Sequence, residues 1–293
     1  MFKGSIPALV TPMRADGSID FDAWDRLLDF HVAEGTDGVV VAGTTGESPT
    51  LETSEIEELV LRASRRVNGR LPVIAGSGTN STSKSIELSR AAEAAGADAL
   101  LLVTPYYNRP TQEGLYRHFC AVADAVNVPV LLYNVPGRTA CDMVPETVVR
   151  LSKHPRIAGI KEATGDLSRA ESILAHARPG FVLLSGDDPT AVELMKRGAC
   201  GVISVTANVA ARAMHDLCAA ALAGKHVEAA AINERLMPLH LAMFIEANPI
   251  PVKWAVARLG LIGPAIRLPL TQLSERLEDD MLAAMKASGI KQA

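Results

Sequence analysis

Cysteine is scarce in this chain: Cys120, Cys141, Cys200 and Cys218 are all there are. No two form a CxxC pair, and their spacings suit neither a zinc site nor a disulfide framework. They read as reduced core thiols, which implies a reducing compartment. Blocks of like charge are missing too. The 29 basic and 33 acidic residues leave a formal charge of −4, so neither nucleic acid nor an anionic membrane is indicated as a partner. No apolar run approaches the ~18 residues of a membrane span. The opening MFKGSIPALVTPMRADG carries only a short apolar run, cut by Pro7 and Pro12, and does not read as a signal peptide. A cytoplasmic protein is expected. The GTTGES stretch at 43–48 lacks the lysine-plus-hydroxyl ending of a P-loop, so nucleotide binding is not indicated.

What is present is a rhythm. Short apolar runs recur at 6–10, 39–42, 73–75, 99–103, 130–133, 157–160, 182–184 and 201–203. Each is too short for a buried helix, and most hold β-branched residues or leucine. Each is followed by a loop and then by a segment of helical period. The first helix opens at Ser18-Ile19-Asp20-Phe21-Asp22, the second at Thr53-Ser54-Glu55; Ser81, Thr111 and Asp188-Pro189 mark further starts. The strands are uninterrupted rather than alternating, as in parallel strands covered on both faces. Eight such units predict a (β/α)8 TIM barrel, and 293 residues are enough for one. A doubly wound open sheet explains eight evenly spaced units less well. The spacing predicts a barrel domain over 1–224, with its eighth helix at 207–222. A C-terminal helical domain over 225–293 is expected to hold helices at 226–247, 251–259 and 272–287.

Barrel enzymes keep their chemistry at the C-terminal strand ends. Hydroxyls crowd that region here: Thr44 and Thr45 after the second run, Tyr106 and Tyr107 after the fourth, Tyr133 at the end of the fifth. Lys161, in the stretch AGIKEATGD (158–166), is the only lysine among them. None of the seven histidines falls there, so a histidine-ligated metal has no evident home, and no cofactor is indicated. For Lys161 the plain alternative is a charge that leaves the strand and snorkels to water. The chemical alternative is a Schiff-base lysine, whose amine must be neutral to attack a carbonyl and which an apolar pocket favours in that form. Tyr133 beside it suits proton transfer during imine formation, or simply lines the rim. Thr44 and Thr45 suit a hydroxyl relay, a carboxylate-binding pair, or plain turn chemistry. Arg138, after Pro136-Gly137, is either a surface residue or a bidentate clamp for a substrate carboxylate.

GTTGES (43–48), TPYYNRP (104–110), YNVPGRT (133–139), GIKEATGD (159–166), the GDD at 186–188 and NPIPVKW (248–254) together resemble the dihydrodipicolinate synthase family. The resemblance covers nearly the whole chain. The GTTGE and lysine motifs are shared with other pyruvate-dependent lyases, while the GRT loop and NPIPVKW narrow the match. The resemblance implies that Lys161 forms an imine with pyruvate. Tyr133, Thr45 and Tyr107 would make a proton relay, with Tyr107 reaching in from a neighbouring subunit and Thr44 in the same hydroxyl cluster. Arg138 would bind L-aspartate 4-semialdehyde, and Gly186 and Ile203 would border the lysine and pyruvate through backbone atoms. It implies the product 4-hydroxy-tetrahydrodipicolinate, made in lysine and diaminopimelate synthesis, and a homotetramer built as a dimer of dimers. Two alternatives are a sister lyase acting on a sugar acid or a hydroxyproline-derived imine, and a non-catalytic barrel that binds a small carboxylate.

The same resemblance implies a lysine-binding pocket for feedback inhibition. Ser48, Asn80 and Tyr106 fit it. Thr53 and Ile56 stand where lysine-sensitive bacterial members have histidines, and Lys84 stands where they have glutamate. Weak or absent inhibition by lysine is expected.

Overall fold

A computed structural model describes residues 2–291; Met1, and Gln292 and Ala293 at the end of the predicted C-terminal domain, lie outside the described residues. In chain order the elements are β1 (Gly4–Pro7), α1 (Phe21–Ala33), β2 (Val39–Val41), α2 (Thr53–Val67), β3 (Val73–Gly76), α3 (Thr82–Ala94) and β4 (Ala99–Val103). There follow α4 (Gln112–Asp124), β5 (Val130–Asn134), a single turn α5 (Pro136–Thr139), α6 (Pro145–Leu151), β6 (Ile157–Glu162), α7 (Leu167–His176), β7 (Val182–Ser185), α8 (Ala191–Lys196), β8 (Gly201–Ser204) and α9 (Ala211–Leu222). The chain continues with α10 (His226–Ala242), α11 (Ile250–Arg258) and α12 (Glu278–Ala287).

All eight strands pair in parallel in the order β1-β8-β7-β6-β5-β4-β3-β2. A parallel bridge between Ala8 and Val40 joins the two outer members, and the ring is a (β/α)8 barrel. Side-chain alternation divides the apolar residues into two cores. Ile6, Val40, Ile74, Leu101, Leu184 and Ile203 pack inside the ring. Leu100, Leu132, Ile160 and Leu183 face outward and pack under the helices with Trp24 and Phe119. Both strand faces are therefore buried, which is why the runs carry no polar alternation. The helix starts follow side-chain capping: Asp20, Ser81 and Thr111 accept from the backbone N–H three residues on, at 3.1, 3.4 and 3.2 Å.

Several predicted boundaries differ: the first strand is Gly4–Pro7 rather than 6–10, the helix expected over 226–247 ends at Ala242, and α12 begins at Glu278 rather than at 272. Three further differences bear on the site. The helix expected at Asp188-Pro189 begins at Ala191. The Asp188 carboxylate instead accepts from the N–H groups of Val205 and Thr206, at 2.9 and 3.0 Å. The helix expected over 207–222 is broken into a short 3₁₀ turn, Thr206–Asn208, and then α9. Asn208 is held at the barrel instead, its amide donating to Ala8 O at 2.8 Å and accepting from Val10 N at 3.1 Å. The strand expected to stop at Ile160 runs on through Lys161 and Glu162. Beyond the barrel, α10 packs on α8, α9 and α12, while α11 lies against the 3₁₀ turn.

Candidate active site

Strand register brings the candidate residues together. Tyr133 of β5 pairs across to Lys161 of β6, which pairs to Leu184 of β7. Tyr133 and Leu184 belong to the inner cluster, so the extra strand residue beyond Ile160 turns Lys161 into the barrel. Lys161 is buried, with its Nζ over the Tyr133 ring at 4.3 Å from the centroid. Among the described residues no carboxylate pairs with it; the adjacent Glu162 faces the other way, towards Arg169 at 3.8 Å. The snorkelling alternative does not hold, because the side chain ends in the mouth of the barrel. There it opens on a cavity of about 380 Å³, whose wall includes Thr44, Thr45, Tyr133, Arg138, Lys161 and Gly186. A Cβ at Gly186 would sit 2.9 Å from Lys161 Cε and 2.5 Å from Ala163 Cβ, so only glycine leaves the lysine stem its room.

The loop carrying Thr44 and Thr45 is pinned from three sides. Thr11 Oγ1 donates to Gly46 O at 2.7 Å. Asn248 Nδ2 donates to Thr45 Oγ1 at 3.1 Å. Glu47, with a positive φ of 61°, forms a fully buried ion pair with Lys253 and also accepts from Arg267 N at 3.1 Å. Burial pulls Lys253 below the usual lysine range despite the opposing pull of Glu47. Two of these three anchors come from NPIPVKW, more than 200 residues away in the chain. Arg138 lies exposed at the rim, and its guanidinium donates to Asn248 O at 3.3 Å.

Two expected residues stand apart. Ile203 is buried in the inner cluster and does not line the cavity. Tyr107 is 90% exposed with φ +71° and lies outside its own chain's cavity, whereas Tyr106 lines it. Behind the site, on the outer face of β5 and β6, Asn134 bonds both Asp142 and Glu162, at 2.9 and 3.4 Å. Arg169 grips Asp142 through both terminal nitrogens. Burial raises Glu162 above the usual carboxylate range, opposed by its bonds to Thr164 and the charge of Arg169. This cluster, Asn248, and the Glu47–Lys253 pair were not singled out from sequence as site residues. Glu47, Asn134, Glu162, Asn248 and Lys253 do fall within the motifs GTTGES, YNVPGRT, GIKEATGD and NPIPVKW, and Lys253 stands out as a lysine inside an otherwise apolar helical segment. Among the described residues no three His, Cys, Asp or Glu side chains gather as a metal-binding group.

A sequence profile of the Dihydrodipicolinate synthetase family matches residues 1–288. The 4-hydroxy-tetrahydrodipicolinate synthases of Stutzerimonas stutzeri and Ectopseudomonas mendocina are each 60% identical to the chain over 290 residues, covering 99% of it and 99% of themselves. The fold matches a crystal structure of the chloride-inhibited dihydrodipicolinate synthase from Acinetobacter baumannii complexed with pyruvate. The TM-score is 0.98 at 49% identity, over 99% of this chain and all of that one. With a barrel, a buried strand-end lysine and full-length relatives of this kind, the chain belongs to the dihydrodipicolinate synthetase family.

Proposed function

We propose that the chain is a 4-hydroxy-tetrahydrodipicolinate synthase, which condenses pyruvate, as a Schiff base on Lys161, with L-aspartate 4-semialdehyde. The observation that carries this reading is the Lys161 amine, buried beside the Tyr133 ring with no acid among the described residues paired to it. The amine attacks C2 of pyruvate to give a carbinolamine. Its hydroxyl leaves as water once protonated, by Tyr133 with Thr45 behind it, and the imine forms. Loss of a C3 proton gives an enamine, which adds to the aldehyde carbon of the second substrate. The substrate amine then displaces Lys161 from C2 and closes the six-membered ring. Arg138, at the rim and steadied by Asn248 O, holds the carboxylate of the semialdehyde. Thr44 extends the hydroxyl cluster, and Gly186 and Ile203 border the pyruvate end through their backbones.

In this reading Tyr107 completes the relay in a neighbouring subunit of a homotetramer. Its near-complete exposure on a loop at the cavity mouth supports that role. The division into a barrel at 1–224 and a helical unit at 225–293 remains part of the proposal, with the second unit bracing the first. A cytoplasmic location is supported by four free thiols. No described helix is long and apolar enough to cross a membrane. Borohydride reduction in the presence of pyruvate, followed by peptide mapping, tests the reading: the adduct is expected on Lys161, and an adduct elsewhere or none refutes it. A substrate panel completes the test, with turnover expected for the semialdehyde and not for sugar acids.

A further inference from the structure

We infer that Asn134 and Glu162 are positioning residues that lock the register of β6 on β5 beyond a bulge at Ala158, and so keep Lys161 inside the barrel facing Tyr133. This rests on the proposed Schiff-base reading and names what aims its lysine. The two strands do not pair evenly. Val130 stands opposite Ile157, but the next residue, Leu131, stands opposite Gly159, so Ala158 is an extra residue on β6. Ala158 packs on the inner cluster, and Gly159 pairs with Val182 of the same cluster, so two successive residues face inward. A Cβ at Gly159 would lie 2.3 Å from Val182 O, and only glycine fits there. From that point Ile160 faces out, Lys161 in and Glu162 out. A strand continued evenly from Ile157 would instead set Ile160 opposite Tyr133 and Lys161 opposite Asn134. A slip of one residue exchanges the two faces. The amine would then lie beneath the helices, and the Glu162 carboxylate would enter the barrel.

The bulged register is selected by the last pair of the ladder. Asn134 and Glu162 stand opposite each other, both buried, at the ends of β5 and β6. The Asn134 amide has partners on both sides. Its oxygen receives Met143 N at 3.0 Å, and its nitrogen donates to Asp142 at 2.9 Å and to the two Glu162 oxygens at 3.5 and 3.4 Å. The reversed amide would set N–H against the Met143 N–H and an oxygen against two carboxylates, so its partners fix the orientation. Glu162 also receives Thr164 N at 3.0 Å, and the Arg169 charge stands 3.8 Å away. In the even register Lys161 would take the place of Glu162. Its ammonium would meet the Asn134 N–H groups and the Arg169 guanidinium, while Glu162 would lose these donors and face the apolar barrel. The backbone does not make this choice, because its N–H and C=O groups pair in either register.

The test follows formation of the pyruvate imine at saturating pyruvate, by rapid mixing, quenching in borohydride and measuring the Lys161 adduct by mass against time. A chain that visits the even register reacts only from the bulged one, so its rate falls with the competent fraction while its final yield stays complete. Asn134→Ala is expected to slow the reaction about ten- to hundredfold at full yield, as misplaced reacting groups do. Asn134→Ser, too short to span both acids, is expected to behave alike, and carries the test if the alanine variant does not fold. Deleting Ala158 makes the even register the one that sets Lys161 opposite Tyr133. The deletion is expected to keep the rate within about threefold of wild type, and Asn134→Ala added to it to cost no more than about twofold. A rate for Asn134→Ala within about twofold of wild type overturns the inference. So does a loss of yield at an unchanged rate constant, or an equal slowing by Asn134→Ala with and without Ala158, because either assigns Asn134 a merely structural role. A folded deletion variant that gives no adduct overturns it too. The comparison of rate with yield is made in the full chain and stands without the deletion. A wild-type protein that gives no Lys161 adduct overturns the proposed function and this inference with it; an adduct in the wild type with variants that break the expected order overturns the inference alone.

Discussion

Removing one member of the Glu47–Lys253 pair is expected to unfold the protein far more readily than removing both. Both side chains are essentially inaccessible, 2% exposed as residues. Lys253 sits below its usual pKa because desolvation outweighs the attraction of Glu47. A buried base with a depressed pKa binds its proton less readily folded than unfolded. Taking two charges out of water offsets much of what their attraction returns, even though each charge needs the other. Lys253→Met would leave the Glu47 carboxylate buried and unpaired, a loss of about 3–5 kcal/mol. Glu47→Gln would strand the ammonium at a similar loss. The double variant Glu47→Gln/Lys253→Met buries no charge, and its glutamine oxygen still accepts from Arg267 N, which Glu47 engages at 3.1 Å. Its stability is expected within about 1 kcal/mol of wild type, so the single losses do not add. Equilibrium urea unfolding at one fixed protomer concentration reads this. Near-wild-type midpoints for both single variants, or a double variant as weak as the sum of the singles, would refute the reasoning.

Arg138→Ala is expected to separate the half-reactions. Imine formation with pyruvate survives, while kcat/KM for the semialdehyde falls by about 30-fold, the low end of a lost charged contact at an exposed rim; unchanged semialdehyde kinetics remove Arg138 from the site. Inhibition by lysine is expected to be weak, with half-inhibition above about 1 mM. Ser48, Ile56 and Tyr106 line the cavity, while Lys84 lies outside its lining, donating to Thr53 at 3.3 Å and to Glu87 at 2.7 Å. A lysine titration of initial rate showing half-inhibition far below that value contradicts the expectation. Acid should weaken the fold through His31 and His118, which burial holds at about 3 and about 4. Unfolding lets these rings take up a proton, so stability falls as pH drops below 6.5, by about 1.4 kcal/mol per pH unit for each histidine. His31→Asn should make the slope of unfolding free energy against pH shallower between about 4 and 6, and an unchanged slope would exclude His31 as a source.

The barrel was legible because its evidence is local. An uninterrupted apolar run such as 99–103 carries its burial on both faces in its own residues, and β4 keeps those bounds. Lys161 was legible for the opposite reason, as the one charge that broke an apolar run. The supporting groups were not. Lys253 breaks an apolar segment, but nothing near it in sequence names Glu47 as its partner, and the two meet only across 206 positions. Asn248 and Thr45 meet across 203. The polar pairings of Asp188 and Asn208 likewise displaced two predicted helix starts, because a side chain that bonds a distant backbone gives no local sign of it. Tyr107 was proposed for a partner's site, and the fold of one chain leaves it outward.

The central claim is that Lys161 carries the carbon chemistry, and one measurement bears on it most directly. Wild type and Lys161→Arg are treated with pyruvate and borohydride, and the intact mass and mapped peptides of each are read. A single reduced-pyruvate adduct is predicted on Lys161 of the wild type, with none in the variant. An adduct of equal yield in Lys161→Arg, or a modified peptide that does not contain residue 161, would contradict the account.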